Sequence, residues 1–284
     1  MKFFKLNNGF EMPMAGIGVF TFTPKEAQIA IENALKDGVR LIDTANAYQN
    51  EKATGRAIKN SCIDRKEIFL VTKLWPSVYE SESAVDETLK RLDTDYIDLL
   101  FLHQPTDNWK AGYRNIEKAV KEGKVRSIGL SNFDVLSNEL YVEAINFAEI
   151  KPQIVQVEAH PYFPQSELKK ILAETSMGLM AWYPLGHGDK SLIEEQIFTD
   201  LAKKYGKTNA QIILRWHIQS GNVVIPGSRN PKHIKENFDI FDFELTSEEM
   251  AEIAKINKNV RYYNGTPEMI ASYKQWAPDF DAQE

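Results

Sequence analysis

Residues 68–73 read Ile-Phe-Leu-Val-Thr-Lys, a run of strand-forming side chains that ends in the amine of Lys73. Two other runs end in the same way, since Leu41-Ile42 is followed by Asp43 and residues 99–102 are followed by His103. The three polar residues succeed one another at intervals of 30 positions, and a strand-helix-strand unit takes about that length. If the runs are neighbouring parallel strands, an acid, an amine and an imidazole meet at the C-terminal edge of one sheet.

The alternation of apolar runs and helical patterns continues along the chain. Strands are predicted at Met14–Ile17, Val39–Ile42, 68–72, 96–102, 125–130, 153–158, 178–182 and 222–225. Helices are predicted from Pro24 to Gly38 and near 80–92, 112–122, 134–148, 165–175, 193–219, 231–237 and 246–257. Eight strands, each followed by a helix, predict the α/β class and a (β/α)8 TIM barrel rather than an open sheet. No linker or low-complexity stretch divides the chain, so residues 1–284 are interpreted as a single domain.

Both ends of the chain depart from this alternation. Residues 3–12 predict a small β-hairpin, because Asn7-Asn8-Gly9 is a turn signal between two apolar segments. After Asn259 the pattern is that of an irregular tail rich in aromatic residues, namely Tyr262, Tyr263, Tyr273, Trp276 and Phe280. The pattern leaves open whether this tail packs near the barrel mouth or on the outside of the barrel.

Composition restricts the class of partner. Lysine and arginine number 34 against 40 aspartates and glutamates, for a net charge of −6, which argues against nucleic acid or an anionic membrane as partner. No apolar stretch approaches the roughly 20 residues that span a bilayer, and the N-terminus has no cleavable signal pattern. The single cysteine, Cys62, cannot form an internal disulfide. We therefore expect a cytoplasmic protein and, since no coiled-coil or interface pattern is present, a monomer.

The polar strand ends predict a proton-transfer site, because active sites of such barrels lie at the C-terminal ends of the strands. Tyr48 follows Asp43 by five residues. Asp43 would keep Lys73 charged, and that charge would lower the pKa of Tyr48 from its usual value of about 10. His103 would add a second hydrogen bond to the oxygen that Tyr48 protonates. Taken singly, the residues also fit a buried ion pair, a packed phenol and a core histidine; together they predict protonation of a carbonyl oxygen while a hydride reaches its carbon.

These side chains cannot supply a hydride, so the site requires a donor such as a nicotinamide cofactor. The usual dinucleotide fingerprint is missing, because Gly16-Ile17-Gly18 lacks the third glycine and the acid that should follow. A cofactor lying across the barrel top is the alternative. The residues that could hold it are the amides Asn132 and Gln156, the indole of Trp182, Gly186, Gly188 and the helix start after Ser228-Arg229.

These residues resemble the aldo-keto reductase superfamily along nearly the whole chain. The matching segments are 38–55 (with Asp43, Tyr48, Asn50, Glu51 and Gly55), 73–75, 98–105, 123–133, 156–162 and 225–237. The resemblance implies reduction of aldehydes or ketones to alcohols with NADPH, NADH being the alternative cofactor. It implies Tyr48 as general acid, Lys73 and Asp43 as the groups that tune it, and His103 as the group that orients the carbonyl.

The resemblance also implies the binding residues, and no metal. The cofactor contacts are Ser131, Asn132, Gln156, Trp182, Pro184, Leu185, Gly186, Ser228, Arg229, His233, Glu236 and Asn237. The substrate contacts are Phe20, Trp75, His103 and Gln104.

The chain departs from the family pattern at three positions. Many NADPH-preferring members carry a lysine where this chain has Gly227 and an arginine where it has His233, and both cations normally meet the 2′-phosphate. Arg229 could compensate, because a guanidinium binds phosphate through two hydrogen bonds, so NADPH remains the expected cofactor. Gln104 replaces a common tryptophan, which favours a compact polar carbonyl such as a 2-oxoaldehyde or a small sugar aldehyde.

Two other functions fit parts of this pattern. A non-catalytic, cofactor-binding barrel acting as a subunit or sensor need not keep Asp43, Tyr48, Lys73 and His103 together. An aldolase-like barrel would use Lys73 to form a Schiff base, which requires a neutral amine that Asp43 opposes.

Overall fold

The computed structural model describes all 284 residues and contains ten β-strands. The strands are β1 Phe3–Lys5, β2 Glu11–Pro13, β3 Ile17–Gly18, β4 Leu41–Asp43, β5 Phe69–Leu74, β6 Leu99–Leu102, β7 Ile128–Ser131, β8 Ile154–Glu158, β9 Gly178–Trp182 and β10 Asn222–Val224. Strands β3 to β10 pair in parallel in the order of the chain. The sheet closes on itself because Ala15 pairs with Val224, and the Gly16 amide donates to the Val224 carbonyl at 2.8 Å. The predicted (β/α)8 barrel is confirmed.

Twelve α-helices accompany the strands. They are α1 Pro24–Lys36, α2 Glu51–Asn60, α3 Ala84–Leu92, α4 Trp109–Lys121, α5 Glu139–Phe147, α6 Ser166–Thr175, α7 Lys190–Ile193, α8 Gln196–Tyr205, α9 Asn209–Gln219, α10 Pro231–Phe238, α11 Ser247–Ala254 and α12 Pro267–Ser272. The prediction of one helix over 193–219 is wrong. Gly206 ends α8 in the left-handed region, and Thr208 starts α9 with a capping box to Gln211. The tail is also not wholly irregular, since it contains α12, capped by Thr266.

The inner face of the sheet explains why polar residues meet at one end of the barrel. Alternate strand residues point inward, and Phe69 and Val71 of β5 pack in the same interior cluster as Leu99 and Phe101 of β6. Lys73 is the next inward position on β5. His103 and Asp43 continue the inward rows of β6 and β4 in the same way, so the polar groups form the top layer above apolar layers.

The N-terminal hairpin, predicted from the sequence, covers the opposite end of the barrel. Leu6 and Met12 are buried in the interior cluster. Asn7 and Asn8 donate to the carbonyls of Pro152 and Arg126, which precede β8 and β7. The hairpin thus seals the end away from the polar layer.

The C-terminal tail occupies both positions that the sequence left open. Its first part crosses the barrel mouth, where the Trp75 indole donates to the Tyr273 carbonyl at 2.8 Å. Its last part runs along the outside, where Arg91 lies 3.1 Å from Asp281. No helix of the structure has both the length and the apolar character needed to cross a membrane.

Candidate active site

Asp43 and Lys73 form an ion pair shielded from solvent in the top inner layer. The Lys73 Nζ donates to Asp43 Oδ1 at 2.6 Å and to the Thr44 carbonyl at 2.8 Å. The second carboxylate oxygen, Oδ2, accepts a hydrogen bond from Gln156 Nε2 at 2.8 Å. Burial lowers the pKa of Lys73 and raises the pKa of Asp43, and their mutual attraction opposes both shifts. The carboxylate therefore holds both the amine and an amide from the far side of the barrel.

Tyr48 ends a single 3-10 turn, Asn46–Tyr48, directly after β4. The Lys73 Nζ lies 4.8 Å from the centre of its ring, and the His103 ring centre lies 5.7 Å away. The expected lowering of the Tyr48 pKa is wrong for this structure. Burial raises the pKa of Tyr48 well above its usual value, and the charge of Asp43 adds to the rise. The phenol consequently holds its proton at neutral pH and is suited to donate it.

His103 is buried beside this phenol. Burial, together with the charge of Lys73, lowers the pKa of His103 well below its usual value, so the ring is neutral at neutral pH. Its Nδ1 is buried without a hydrogen-bond partner in the chain. A neutral imidazole can orient a carbonyl oxygen by hydrogen bonding without competing with Tyr48 as the acid.

The residues predicted to hold a carboxamide lie together at the ends of β7, β8 and β9. Asn132 accepts a hydrogen bond from Trp182 Nε1 at 2.9 Å and donates to the His103 carbonyl at 3.1 Å. Ser131 Oγ is buried with no hydrogen-bond partner. A buried, unpartnered hydroxyl next to an aromatic ring and two amides fits an amide-bearing ring as ligand.

The residues predicted for the phosphates lie on two neighbouring segments of the rim. On the first, Pro184, Leu185 and Gly186 follow β9, and His217 Nε2 lies 3.0 Å from the Pro184 carbonyl. The second surrounds the start of α10. Its residues Ser228, Arg229, His233 and Glu236 are exposed or half-buried, whereas Asn237 is buried. Helix α10 begins at Pro231, and Asn230 Oδ1 caps it by accepting the Lys232 amide at 3.0 Å.

Position 227 has a structural reason to be glycine. A β-carbon at Gly227 would lie 2.7 Å from the Gly18 carbonyl oxygen, closer than such atoms approach in proteins. Gly18 is the last residue of β3 and Gly227 follows β10, and these two strands close the barrel. The absence of the family's lysine therefore coincides with tight packing of two strand ends.

Aromatic side chains frame the mouth above Tyr48. Phe20 lies 5.0 Å from the Tyr48 ring, and Trp75 lies 5.1 Å from the His103 ring. Trp276 from the tail packs edge-on against Trp75 at 5.3 Å. Gln104 directly follows His103 and is buried, and its side-chain oxygen has no hydrogen-bond partner.

The sequence did not reveal how the tail is attached. Glu158 is buried at the end of β8, and its carboxylate accepts the backbone amides of Tyr262 at 2.5 Å and Tyr263 at 2.8 Å. The Tyr262 hydroxyl then donates to Asp189 at 2.5 Å. The only feature of the sequence that pointed to this attachment was the acid Glu158 at the end of a predicted strand. No group of three His, Cys, Asp or Glu side chains converges in a way that could hold a metal ion.

Known proteins are similar to this chain in sequence and in fold. A model of the Aldo/keto reductase family matches residues 14–258. The chain is 42% identical over 271 residues to glyoxal reductase of Bacillus subtilis (strain 168), covering 94% of this chain and 96% of that protein. It is 40% identical over 261 residues to methylglyoxal reductase DkgA of Escherichia coli (strain K12), covering 90% of this chain and 94% of that protein. An aldo-keto reductase from Bombyx mori, solved in complex with NADP, superposes with a TM-score of 0.83 at 32% identity, covering 92% of this chain and 94% of that one.

A closed parallel barrel that brings a phenol, an amine, an imidazole and buried amides to one end fits a nicotinamide-dependent carbonyl reductase. The chain belongs to the Aldo/keto reductase family. It is therefore an NAD(P)H-dependent oxidoreductase that reduces aldehydes or ketones to alcohols.

Proposed function

We propose that the protein reduces small, reactive 2-oxoaldehydes with NADPH and that Tyr48 is the general acid. The observation that carries the proposal is the position of the Tyr48 phenol at the barrel mouth, between the Lys73 amine and the neutral His103 ring. The names of two relatives, a glyoxal reductase and a methylglyoxal reductase, support the substrate class.

When bound, NADPH supplies the hydride for the carbonyl carbon. Ser131, Asn132 and Gln156 would hold its carboxamide, and Trp182 would cover a face of its ring. His103 orients the carbonyl oxygen toward Tyr48. Because its pKa is raised, Tyr48 keeps its proton until the oxygen gains the negative charge of an alkoxide, and it donates the proton at that stage. The nearby Lys73 cation then stabilises the phenolate that remains.

The mouth supports a compact polar substrate. Phe20, Trp75 and Trp276 provide aromatic walls, and Gln104, with a buried and unpartnered side-chain oxygen, would add an amide beside His103. A 2-oxoaldehyde has a second carbonyl oxygen next to the one that is reduced, and the Gln104 amide can donate a hydrogen bond to it.

Arg229 is the cation that we assign to the 2′-phosphate, with Ser228 and His233 beside it. Pro184, Leu185 and Gly186 would border the pyrophosphate, and Glu236 and Asn237 would border the adenine. We further propose that residues 1–284 act as one domain, as a monomer and in the cytoplasm. The proposed site needs no residue from a second chain, and an exposed free thiol at Cys62 suits a reducing compartment.

The test measures NADPH oxidation by the purified protein with methylglyoxal. Tyr48→Phe should remove most of the turnover while NADPH still quenches tryptophan fluorescence. Tyr96→Phe is the control, because the Tyr96 hydroxyl donates a hydrogen bond to the Arg65 carbonyl, away from the proposed site. Wild-type turnover in Tyr48→Phe would refute the assignment of the acid. Cofactor binding without turnover over a broad aldehyde panel would favour the non-catalytic barrel.

A further inference from the structure

Arg229, the proposed phosphate ligand, is already engaged by an acid. Its Nε lies 2.9 Å from Glu26 Oε1, and its Nη2 donates to the Thr21 carbonyl at 2.7 Å. The guanidinium also stacks over the Phe22 ring at 4.3 Å. These contacts bind Arg229 to the segment that leads from β3 into α1.

Glu26 is held in place for a second reason. Its other oxygen, Oε2, accepts the Thr23 amide at 2.9 Å and so completes the capping box at the start of α1. The carboxylate cannot turn away from Arg229 without giving up this cap. Glu26 thus caps the helix with one carboxylate oxygen and pairs with the Arg229 guanidinium through the other.

The other cations of this edge are Lys232 and Lys235, both on α10. Gly227 has no side chain and no room for one. Lys232 on α10 lies 3.6 Å from Glu236 and is partly neutralised by it. Arg229 directly follows Ser228 and is paired with an acid from another element, so Glu26 offsets the charge that Arg229 could offer to a 2′-phosphate.

We propose that Glu26 is a specificity-determining residue that competes with the 2′-phosphate of NADPH for Arg229. This inference rests on the proposed function, in which Arg229 contacts that phosphate. A carboxylate at 2.9 Å balances the guanidinium charge, so a phosphate must displace it or bind beside it. NADH carries a neutral hydroxyl at this place and does not experience the competition. Glu26 accordingly reduces the difference in affinity between NADPH and NADH, so that NADH stays usable as a cofactor.

The test is the dissociation constant of each cofactor for wild type and Glu26→Gln, measured by tryptophan fluorescence or calorimetry. Glutamine keeps the capping oxygen but removes the charge. We expect NADPH binding to tighten about threefold to fivefold, as for a partly exposed charge contact, with NADH binding unchanged. The gain should shrink as salt is added, because exposed charges are screened. Glu32→Gln on the same helix is the control, since Glu32 accepts bonds from Gln28 and Asn60 only.

Arg229→Ala, alone and combined with Glu26→Gln, tests the role of Arg229 separately from the role of Glu26. The gain from Glu26→Gln should be much smaller when Arg229 is absent. Unchanged or weaker NADPH binding in Glu26→Gln, or an equal gain in both backgrounds, would overturn the inference about Glu26. If Arg229→Ala weakens the binding of NADPH no more than the binding of NADH, the assignment of the 2′-phosphate to Arg229 is wrong.

Discussion

Lys73 and Asp43 face each other at 2.6 Å with almost no exposure to solvent, 0% for the lysine side chain and 2% for the aspartate. Each charge is compensated by the other and by few further groups. Two buried charges of opposite sign stabilise the fold little as a pair, but either one alone is costly. The ion pair therefore makes the stability of the barrel sensitive to changes at its own active site.

Asp43→Asn should lower the free energy of unfolding by about 3–5 kcal/mol, because it removes the nearest counter-charge of the buried Lys73 ammonium. Urea denaturation followed by circular dichroism measures the change. Asp93→Asn is the matched control, since Asp93 pairs with Lys59 at 2.9 Å on the exposed surface. That control should cost no more than about 1 kcal/mol. Equal losses in the two variants would contradict the description of Lys73 as a buried cation.

Stability should fall in mild acid because of His217. Burial lowers the pKa of His217 to about 3, below its usual 6.5. The unfolded chain therefore binds a proton that the folded chain does not, and stability is complete above pH 6.5 and declines as the pH falls toward 3. The slope from this residue is about 1.4 kcal/mol per pH unit within that window.

His217→Gln should flatten the dependence of unfolding free energy on pH between 6.5 and 5. Glutamine cannot take up the proton, so this contribution disappears. The measurement is a series of urea titrations of both proteins across that range. A slope identical to that of wild type would show that protonation of His217 is not linked to unfolding.

Tyr262→Phe should speed NADPH release and weaken its binding about twofold to tenfold, the usual effect of one lost hydrogen bond. The Tyr262 hydroxyl holds Asp189 at 2.5 Å, in the segment that contains Gly186. Stopped-flow fluorescence with a competing cofactor measures the release rate. Tyr205→Phe is the control, since its hydroxyl bonds the carboxylate of Glu249 at 2.7 Å away from the mouth. The same release rate in both variants would exclude a role for the tail in holding the cofactor loop.

Gln104→Trp should shift substrate preference from methylglyoxal toward aromatic aldehydes. The change removes a polar group from the pocket wall and adds apolar surface. The ratio of kcat/KM for methylglyoxal to that for a nitrobenzaldehyde is the relevant quantity, and it should fall by about tenfold or more, as expected when a substrate oxygen loses its hydrogen bond. A ratio that stays constant would place Gln104 outside the substrate pocket.

The barrel and the grouping of Asp43, Lys73 and His103 followed from apolar runs that alternate with helical patterns and from the spacing of 30 residues, which are local properties of the sequence. The direction of the Tyr48 pKa shift did not, because it depends on how deeply the phenol is buried. The break between α8 and α9 was visible at Gly206 and Thr208 but was outweighed by the helical pattern on both sides.

Contacts between distant parts of the chain were not predictable. Gln156 meets Asp43 across the barrel, Glu158 binds the tail at Tyr262, and neither link leaves a pattern in the intervening sequence. The pairing of Glu26 with Arg229 is similar. The start of α1 at Pro24 was predicted from the sequence, whereas the pairing of Glu26 with Arg229 depends on the closed barrel.

The close approach of Gly227 to Gly18 sets the order in which mutations could change cofactor preference. A lysine at position 227 cannot be acquired in one step without moving a strand end, because its β-carbon would lie 2.7 Å from the Gly18 carbonyl oxygen. Loss of the charge at Glu26 needs no such movement. A lineage or a directed-evolution experiment selected for NADPH should therefore change position 26 first and reach position 227 only after the backbone beside it has relaxed.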